Sequence, residues 1–432
     1  MSTFSNIVKK SILLVILSTL FLPILQSKFH PIQLEALKGD VVIPSDPGIQ
    51  DTSWFSGNFQ EKQDVYLNSS FGFRSWCVRL NSQLAFWFFN KAKANGVIIG
   101  KDNYLFEKNY ITAYTGKDFI GKDNISKIIN RITFISDTLT KLNKQLIVIL
   151  APGKASFYPE YIPPIYGSAT AATNYKFLAK GLSESAINYI DFNKWFIQQK
   201  QVSKYPMYPK YGIHWSIYGS VLAGDSIIKK IEYLRKIDVP NLIYNNIDLK
   251  QPNDMDYDVA NGMNLLFRLP SFDMAYPKIT SEVDTAKTKP SVVVISDSFY
   301  WSLYSNGISN SFKNDHFWYY NKQVYPESAT NEVLTENLDY KNEIEKHDVF
   351  IVMATEANLS RIGWGFFEDM EHYFKGDNYV QDRKKRKELK RSILGDKNWM
   401  KDIEVKANKK GISIDSMINL DVLWIINQQS KK

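Results

Sequence analysis

The chain has 432 residues, 44% of them apolar and 23% charged, an ordinary globular composition that suffices for one large domain with attachments or for two domains. Much of its net charge of +8 sits in one C-terminal run, so the charge does not mark a basic binding groove. The single cysteine, Cys77, excludes an intramolecular disulfide.

Residues 1–30 stand apart from the fold. Lys9 and Lys10 precede an apolar run, Ser11 to Gln26, that resembles the core of a signal peptide. The run is short for an average span of ~20 residues, but Ile7 and Val8 lengthen it, and Leu25 to Phe29 offers no small-x-small cleavage site. An uncleaved signal anchor is the expectation, with a cleaved signal as the alternative. The lysines keep the amino end cytoplasmic, which places everything after residue 30 in the periplasm or outside. Residues 31–70, rich in Gly, Pro, Ser, Asp and Asn, read as a juxtamembrane linker.

Residues 71–375 read as one α/β domain. A helix is expected over Val78 to Ala94, then two short strands around Gly100, Asp102 and Asn103. Helical spacing from Ile125 to Leu142 leads into the strand Leu146 to Leu150, which ends at Ala151-Pro152-Gly153-Lys154. A helix from Thr173 to Glu184, a strand from Ile187 to Phe192, and a helix opened by His214-Trp215-Ser216 follow. Asn241 to Ala286, with Asp254, Asp256 and Asp258, reads as an irregular excursion over the sheet edge.

The strand Ser291 to Ile295 is a continuous β-branched run, the mark of a strand buried on both faces. A helix, a strand at Phe317 to Tyr320, a helix near Asn331 to Lys346 and the strand Val349 to Ala354 complete the alternation, which implies a mostly parallel sheet with helices on both faces. Residues 376–432 read as a helical tail. Its basic run Arg383 to Lys387 is either a solvated helix face or a contact for anionic lipid or polysaccharide.

Ligands bind at the carboxyl ends of such strands, and Ser296-Asp297-Ser298 lies there. Ser298 is the candidate nucleophile, with backbone N–H groups of the next helix available to an oxyanion; the other reading is that Asp297 and Ser298 cap that helix. A serine nucleophile needs a base. Of the five histidines, His30 lies beside the membrane segment, His316 and His347 precede strands at the opposite sheet end, and His372 lies beyond the alternating region. His214 remains, followed by Trp215, which can fix the ring. Glu356 and Asn358, after the last strand, share the edge with Ser298 and either contact substrate or cap the next helix. Lys154 either binds an acidic sugar or is solvated. Gly224-Asp225-Ser226 lies inside a helix and is coincidental.

Five blocks in order resemble the AlgX/AlgJ-type alginate O-acetyltransferases, whose catalytic domain is SGNH-hydrolase-like. They are Phe73-Arg74, Gly100 to Phe106, Ala151 to Lys154 with Tyr158-Pro159-Glu160, Gly212 to Ser216, and Ser296 to Phe299. The resemblance implies a three-layer SGNH-hydrolase-like fold and an acetyl transfer in which Ser298 and His214, with Asp297 in the serine motif, are catalytic. It also implies a polysaccharide acceptor and a multipass membrane O-acyltransferase as acetyl donor; Tyr158, Trp215 and Tyr300 join Lys154, Glu356 and Asn358 as expected substrate contacts. Two departures matter: the family's triad aspartate is replaced by Gly212, and the glycine of its serine motif by Ser296, a milder change that crowds the turn. Asp191 is the first substitute expected, then Glu356; with no acid on His214, a silent polysaccharide-binding or scaffold subunit is the alternative, and a carbohydrate acetyl esterase a further one. No metal motif, phosphate loop or dinucleotide fingerprint is present, so no metal, cofactor or nucleic acid is expected.

Overall fold

The computed structural model describes residues 2–39, 42–49, 54–170, 172–282, 284–376, 379–410 and 414–429. Helix α1 (Ser2–Phe29) is apolar all round: Ile12, Leu13, Leu14, Val15 and Ile16 are all exposed. Among the described residues it is the one helix long and apolar enough to cross a membrane, over Asn6–Phe29 with mean hydropathy 2.0. Those 24 residues extend for about 36 Å, against a hydrocarbon core of about 30 Å. The expected linker instead contains a helix, α2 (Asn58–Ser70), with no buried residue, and α3 (Arg74–Phe89) begins earlier than its apolar spacing suggested.

The strands β1 (Val97–Ile99) and β2 (Leu105–Glu107) form an antiparallel hairpin, followed by α4 (Lys108–Tyr114) and α5 (Lys122–Lys141). Next come β3 (Gln145–Ala151), α6 (Lys154–Phe157), α7 (Asn174–Ser183), β4 (Asn188–Asp191), α8 (Phe192–Gln199) and α9 (Ile217–Arg235). Residues 241–286 are more regular than expected. They hold β5 (Leu242–Lys250) and β6 (Met274–Ser281), paired antiparallel, with the one-turn helix α10 (Asp258–Gly262) between them.

The chain then runs through β7 (Ser291–Ser296), α11 (Tyr300–Ser305), β8 (Asn314–Tyr319), β9 (Gln323–Tyr325), α12 (Tyr340–Lys346), β10 (Val349–Thr355) and α13 (Phe366–Lys375). The helix expected from Asn331 is only the short α12; the residues before it make a 3-10 turn at Thr335–Asn337.

The six-stranded sheet has the order β4-β3-β10-β7-β8-β9, parallel except for β9. Strands β3, β7 and β10 are buried on both faces because alternate side chains feed two cores. Leu146, Val148, Leu150, Val293, Ile295, Phe350 and Val352 pack with Ile132 and Leu139 of α5 and Leu178 of α7. Ile147, Ile149, Val292, Val294, Ile351 and Met353 pack with Phe196 of α8, Ile227 of α9 and Leu303 of α11. This is the expected three-layer α/β arrangement. Its consequence is positional: the carboxyl ends of β3, β7 and β10 lie side by side, and the turn bearing Ser298 emerges between neighbours held in register.

Helices α14 (Tyr379–Gly395), α15 (Lys397–Lys410) and α16 (Ile414–Gln429) form the helical tail, with a small core of Ile393, Ile403, Met417, Ile418 and Val422. Most side chains of the basic run Arg383 to Lys387 lie outside the described ones; Lys385 is exposed.

Candidate active site

The chain leaves β7 through Asp297, whose buried carboxylate anchors the turn. Its Oδ2 accepts from the Thr355 N–H (2.9 Å), the Thr355 hydroxyl (2.7 Å) and Asn358 Nδ2 (2.8 Å), while Oδ1 accepts from the Phe299 N–H (3.1 Å). Asp297 and Asn358 therefore tie β7 to the end of β10, and neither carries a free group towards solvent. Ser298, half-buried, is thereby aimed outward. The helix N–H groups expected for an oxyanion are largely committed. Those of Phe299 and Tyr300 go to Asp297, and that of Trp301 goes to the Ser298 carbonyl at 3.2 Å.

His214 approaches from the other side. Trp215 is buried against Phe196, with ring centroids 5.6 Å apart, and against Phe299 at 5.5 Å, and its indole N–H donates to Ser302. Ser216 caps α9 by accepting from the Gly219 N–H at 3.0 Å. A fully buried tryptophan and a cap on consecutive residues fix the backbone, and His214 keeps its side chain 20% exposed with its ring against Phe299. His214 Nε2 lies 2.9 Å from Ser298 Oγ, and Nδ1 lies 2.8 Å from Asp258 Oδ2. Serine, imidazole and carboxylate thus form one hydrogen-bonded line, the geometry of an activated nucleophile.

The acid on His214 is thus Asp258, at the first position of α10, rather than Asp191 or Glu356. Asp191 is spent capping α8, accepting from the Lys194 N–H at 2.8 Å, and accepts from the Tyr175 hydroxyl. Glu356 is buried beside Gly153 and Ser156, where burial first, and then Asp118 and Asp191, push its carboxyl up to about 7.

Gly212 explains how Asp258 reaches the ring. A Cβ on Gly212 would stand 2.8 Å from Pro209 Cγ and 2.9 Å from the Asp256 carbonyl, so the excursion can lie this close only against a glycine. The two segments are then stitched together. The Asp258 Oδ1 accepts from the Ile213 N–H at 2.9 Å, and the Tyr211 carbonyl accepts from the Ala260 N–H at 3.2 Å. In sequence, Asp258 is one of several acids in an unstructured-looking stretch, clustered with Asp254 and Asp256, and only the missing carboxylate at 212 hints that one of them has a task.

Beneath this loop lies Lys154, wholly buried. Its Nζ donates to the carbonyls of Lys210 (2.9 Å) and Gly212 (2.5 Å), and burial lowers its pKa to about 7 despite the nearby Asp258 and Glu107. A neutral amine still has two hydrogens for these two carbonyls. Lys154 therefore supports the histidine loop from inside and is not open to a sugar. The same correction holds for three aromatics. Tyr158 is buried and donates to the Tyr208 carbonyl, Trp215 is core, and Tyr300 is buried and donates to Asp315.

The electrostatics of the line follow from its neighbours. Burial alone would lower the His214 pKa, but the hydrogen bond and charge of Asp258, with smaller contributions from Asp297 and Glu107, outweigh it and raise the net value. Glu107 is itself raised, by burial first and then by repulsion from Asp258. One further residue meets the serine. Burial first, then Asp297 and Tyr319, push the Tyr320 hydroxyl up to about 12, against a smaller lowering effect of the neighbouring Ser298. Tyr320 has left-handed backbone (φ 51°), its N–H donates to the Ser296 carbonyl at 2.8 Å, and its ring meets Trp364 edge-on at 5.2 Å. The Gly224-Asp225-Ser226 tripeptide lies inside α9, where the Ser226 hydroxyl donates to the Leu222 carbonyl.

Residues 97–241 match the family model of the SGNH hydrolase-like domain of acetyltransferase AlgX, a span that includes Lys154 and His214 and ends before Asp258 and Ser298. The chain is 25% identical over 112 residues to a probable alginate O-acetylase AlgJ of Pseudomonas syringae pv. tomato, covering 26% of this chain and 27% of that protein. It is 23% identical over 107 residues to the protein of the same name from Pseudomonas putida, covering 25% and 26%. The chain thus spans about a quarter of the length of these curated relatives. Among solved structures, the O-acetyltransferase domain of Pseudomonas putida AlgJ aligns with a TM-score of 0.40 and 16% identity over 64% of this chain and 99% of that one. Pseudomonas aeruginosa AlgX aligns with a TM-score of 0.41 and 11% identity over 63% and 67%. The chain is accordingly similar to the AlgX/AlgJ-type proteins, and its α/β domain is SGNH hydrolase-like.

Proposed function

We propose that this chain is a membrane-anchored O-acetyltransferase that acetylates hydroxyls of an extracytoplasmic polysaccharide through an acetyl-Ser298 intermediate. The observation that carries the reading is the continuous line Ser298 Oγ, His214, Asp258. In the first half-reaction Ser298 Oγ attacks the acetyl carbonyl of the donor and His214 Nε2 takes the hydroxyl proton. The tetrahedral intermediate collapses by breaking the bond to the leaving group, which receives that proton from His214. In the second, a sugar hydroxyl loses its proton to His214 and attacks the acetyl-serine, and Ser298 Oγ leaves reprotonated. Asp258 holds the ring and offsets the imidazolium charge.

Acetyl donor, acceptor and location rest on weaker supports. The curated relatives are named as alginate O-acetylases, which favours an acidic polysaccharide acceptor. Helix α1, preceded in its apolar part by Lys9 and Lys10, suits a single-pass anchor with the α/β domain outside the cytoplasmic membrane. An acetyl donor is then needed there, and a multipass membrane O-acyltransferase is the partner that supplies it. The carboxylate 2.8 Å from the His214 ring supports a catalytic role over a silent scaffold.

The test is incubation of the detergent-solubilised chain with an aryl acetate, followed by peptide mass spectrometry. An acetyl group on Ser298, its absence in Ser298→Ala, and faster turnover with an oligosaccharide than with water support the transferase. Turnover insensitive to the oligosaccharide leaves an esterase, and turnover unchanged in Ser298→Ala removes the mechanism.

A further inference from the structure

A second cluster of chemically able side chains lies at the amino end of the sheet, opposite Ser298. His316 is in β8, Glu343 is in α12, and His347, four residues after Glu343, directly follows α12. One donor atom from each lies within 4.8 Å of the other two. His347 is 1% exposed, and the Glu343 and His316 side chains are 7% and 24% exposed.

Hydrogen bonding accounts for only part of these groups, and the Glu343 carboxylate lies at ion-pair distance from both rings, 3.7 Å from His347 Nδ1. Glu343 Oε2 stands 3.6 Å from His316 Nδ1, too far for a direct hydrogen bond. Glu343 Oε2, His316 Nδ1 and His347 Nε2 are all buried without a hydrogen-bond partner. A separation of 3.6 Å is instead close to the edge of a coordination tetrahedron, about 3.4 Å for bonds of about 2.1 Å. The outer contacts also have the form found around coordinating imidazoles. His347 Nδ1 donates to the Glu343 carbonyl at 2.8 Å, leaving Nε2 free, and His316 Nε2 faces the Glu327 carboxylate at 3.4 Å, leaving Nδ1 free. The partial exposure of His316 provides an entry path.

We propose that His316, Glu343 and His347 form a binding site for one divalent transition-metal ion of the zinc type, which clamps α12 to β8 at the end of the sheet remote from Ser298. Two imidazoles and one carboxylate suit such an ion, with a fourth position left to water. The sequence hid the site because Glu343-x-x-x-His347 is an ordinary helical spacing and His316 is 27 residues upstream of Glu343.

The test uses the purified full chain, dialysed against chelator and then titrated with zinc chloride. About one equivalent is expected to bind, with a raised melting temperature and an X-ray absorption spectrum showing two imidazole nitrogens and no sulfur. His316→Ala, at the partly exposed ligand, should weaken binding by more than ~100-fold, since loss of an outer-shell partner alone costs ~10–100-fold. Ser298→Ala should bind zinc as the parent does. No bound zinc, binding unchanged in His316→Ala, or a metal shell without two imidazoles would overturn the site. If the alanine variant does not fold, the absorption spectrum of the parent chain decides.

Discussion

Asp258 reaches His214 because Gly212 has no side chain. The Asp256 backbone lies so close to Gly212 that an added Cβ would stand 2.9 Å from its carbonyl, and two residues later the Asp258 carboxylate meets the His214 ring at 2.8 Å. The apparent loss of the family's triad acid and its replacement from another segment are therefore one structural change. Gly212→Asp, which restores the Asp-x-His-Trp pattern, is expected to damage the protein. Overpacking at this contact should cost roughly 1–3 kcal/mol of stability, and displacement of the Asp258 segment should lower acetyl transfer. Denaturant unfolding and aryl acetate turnover measure both; a Gly212→Asp variant as stable and more active than the parent would contradict this coupling.

Asp258→Asn tests the acid directly. The amide preserves shape, but with its oxygen held by the Ile213 and Val259 N–H groups its NH2 faces Nδ1 and donates to it, which selects the unproductive tautomer, so kcat for serine acetylation should fall on the order of 10⁴-fold, as for loss of the acid in a serine protease triad. Asp191→Asn should remove the α8 cap, at a cost of about 1 kcal/mol, with little effect on acetylation. Comparable losses in both variants would return the orienting role to an unassigned group.

The pH dependence has a definite sign. His214 binds its proton more readily in the folded chain than its ordinary 6.5. Its charging therefore contributes stability that is fully present below pH 6.5 and is lost as pH rises through the raised folded value. Catalysis needs the neutral ring, so acetylation should rise with pH along a limb whose midpoint lies above 6.5. Asp258→Asn removes the attraction while leaving the burial, and the midpoint should move down. A midpoint unaffected by that variant would assign the limb to another group.

The sheet was legible in sequence because its three central strands are unbroken apolar runs, and burial on both faces demands that pattern. Ser298 and His214 were legible because one ends such a run and the other survived elimination among few histidines. Asp258 was not, since its partner is 44 positions away and contact across a loop leaves no periodic trace. Burial was misjudged for Lys154, whose charge suggested solvent. Two carbonyls at Lys210 and Gly212 make the interior tolerable for it, and neither contact has a local signature. The hairpin of β5 and β6 was missed because its apolar alternation is diluted by Asn, Asp and Lys on a strand largely open to solvent.

Asp297 is expected to act through position. Four donors converge on its carboxylate, so Asp297→Ala would strand buried N–H and O–H groups of Thr355, Asn358 and Phe299. The cost should be about 3–5 kcal/mol, within the range for breaking a buried charged network. Asn358→Ala removes one of these donors and should cost about 1–2 kcal/mol. Unfolding curves that left Asp297→Ala as stable as the parent would show that the turn is held by other contacts.

Tyr320 supplies the last test, since its hydroxyl neighbours the nucleophile while its half-buried ring lies against Trp364. The two parts of the side chain predict separable effects. Tyr320→Phe removes only the hydroxyl beside Ser298; a neutral hydrogen bond made to the serine during acetylation is worth about 1 kcal/mol, so kcat should fall by no more than about fivefold with KM for the oligosaccharide unchanged. Tyr320→Ala also removes an aromatic face suited to a sugar, and should raise that KM. Its backbone adds a control: because φ is 51° at this position, Tyr320→Gly relieves the left-handed strain while deleting the same ring. Equal KM values for the Ala and Phe variants would exclude the ring from acceptor binding and leave Tyr320 with the serine alone.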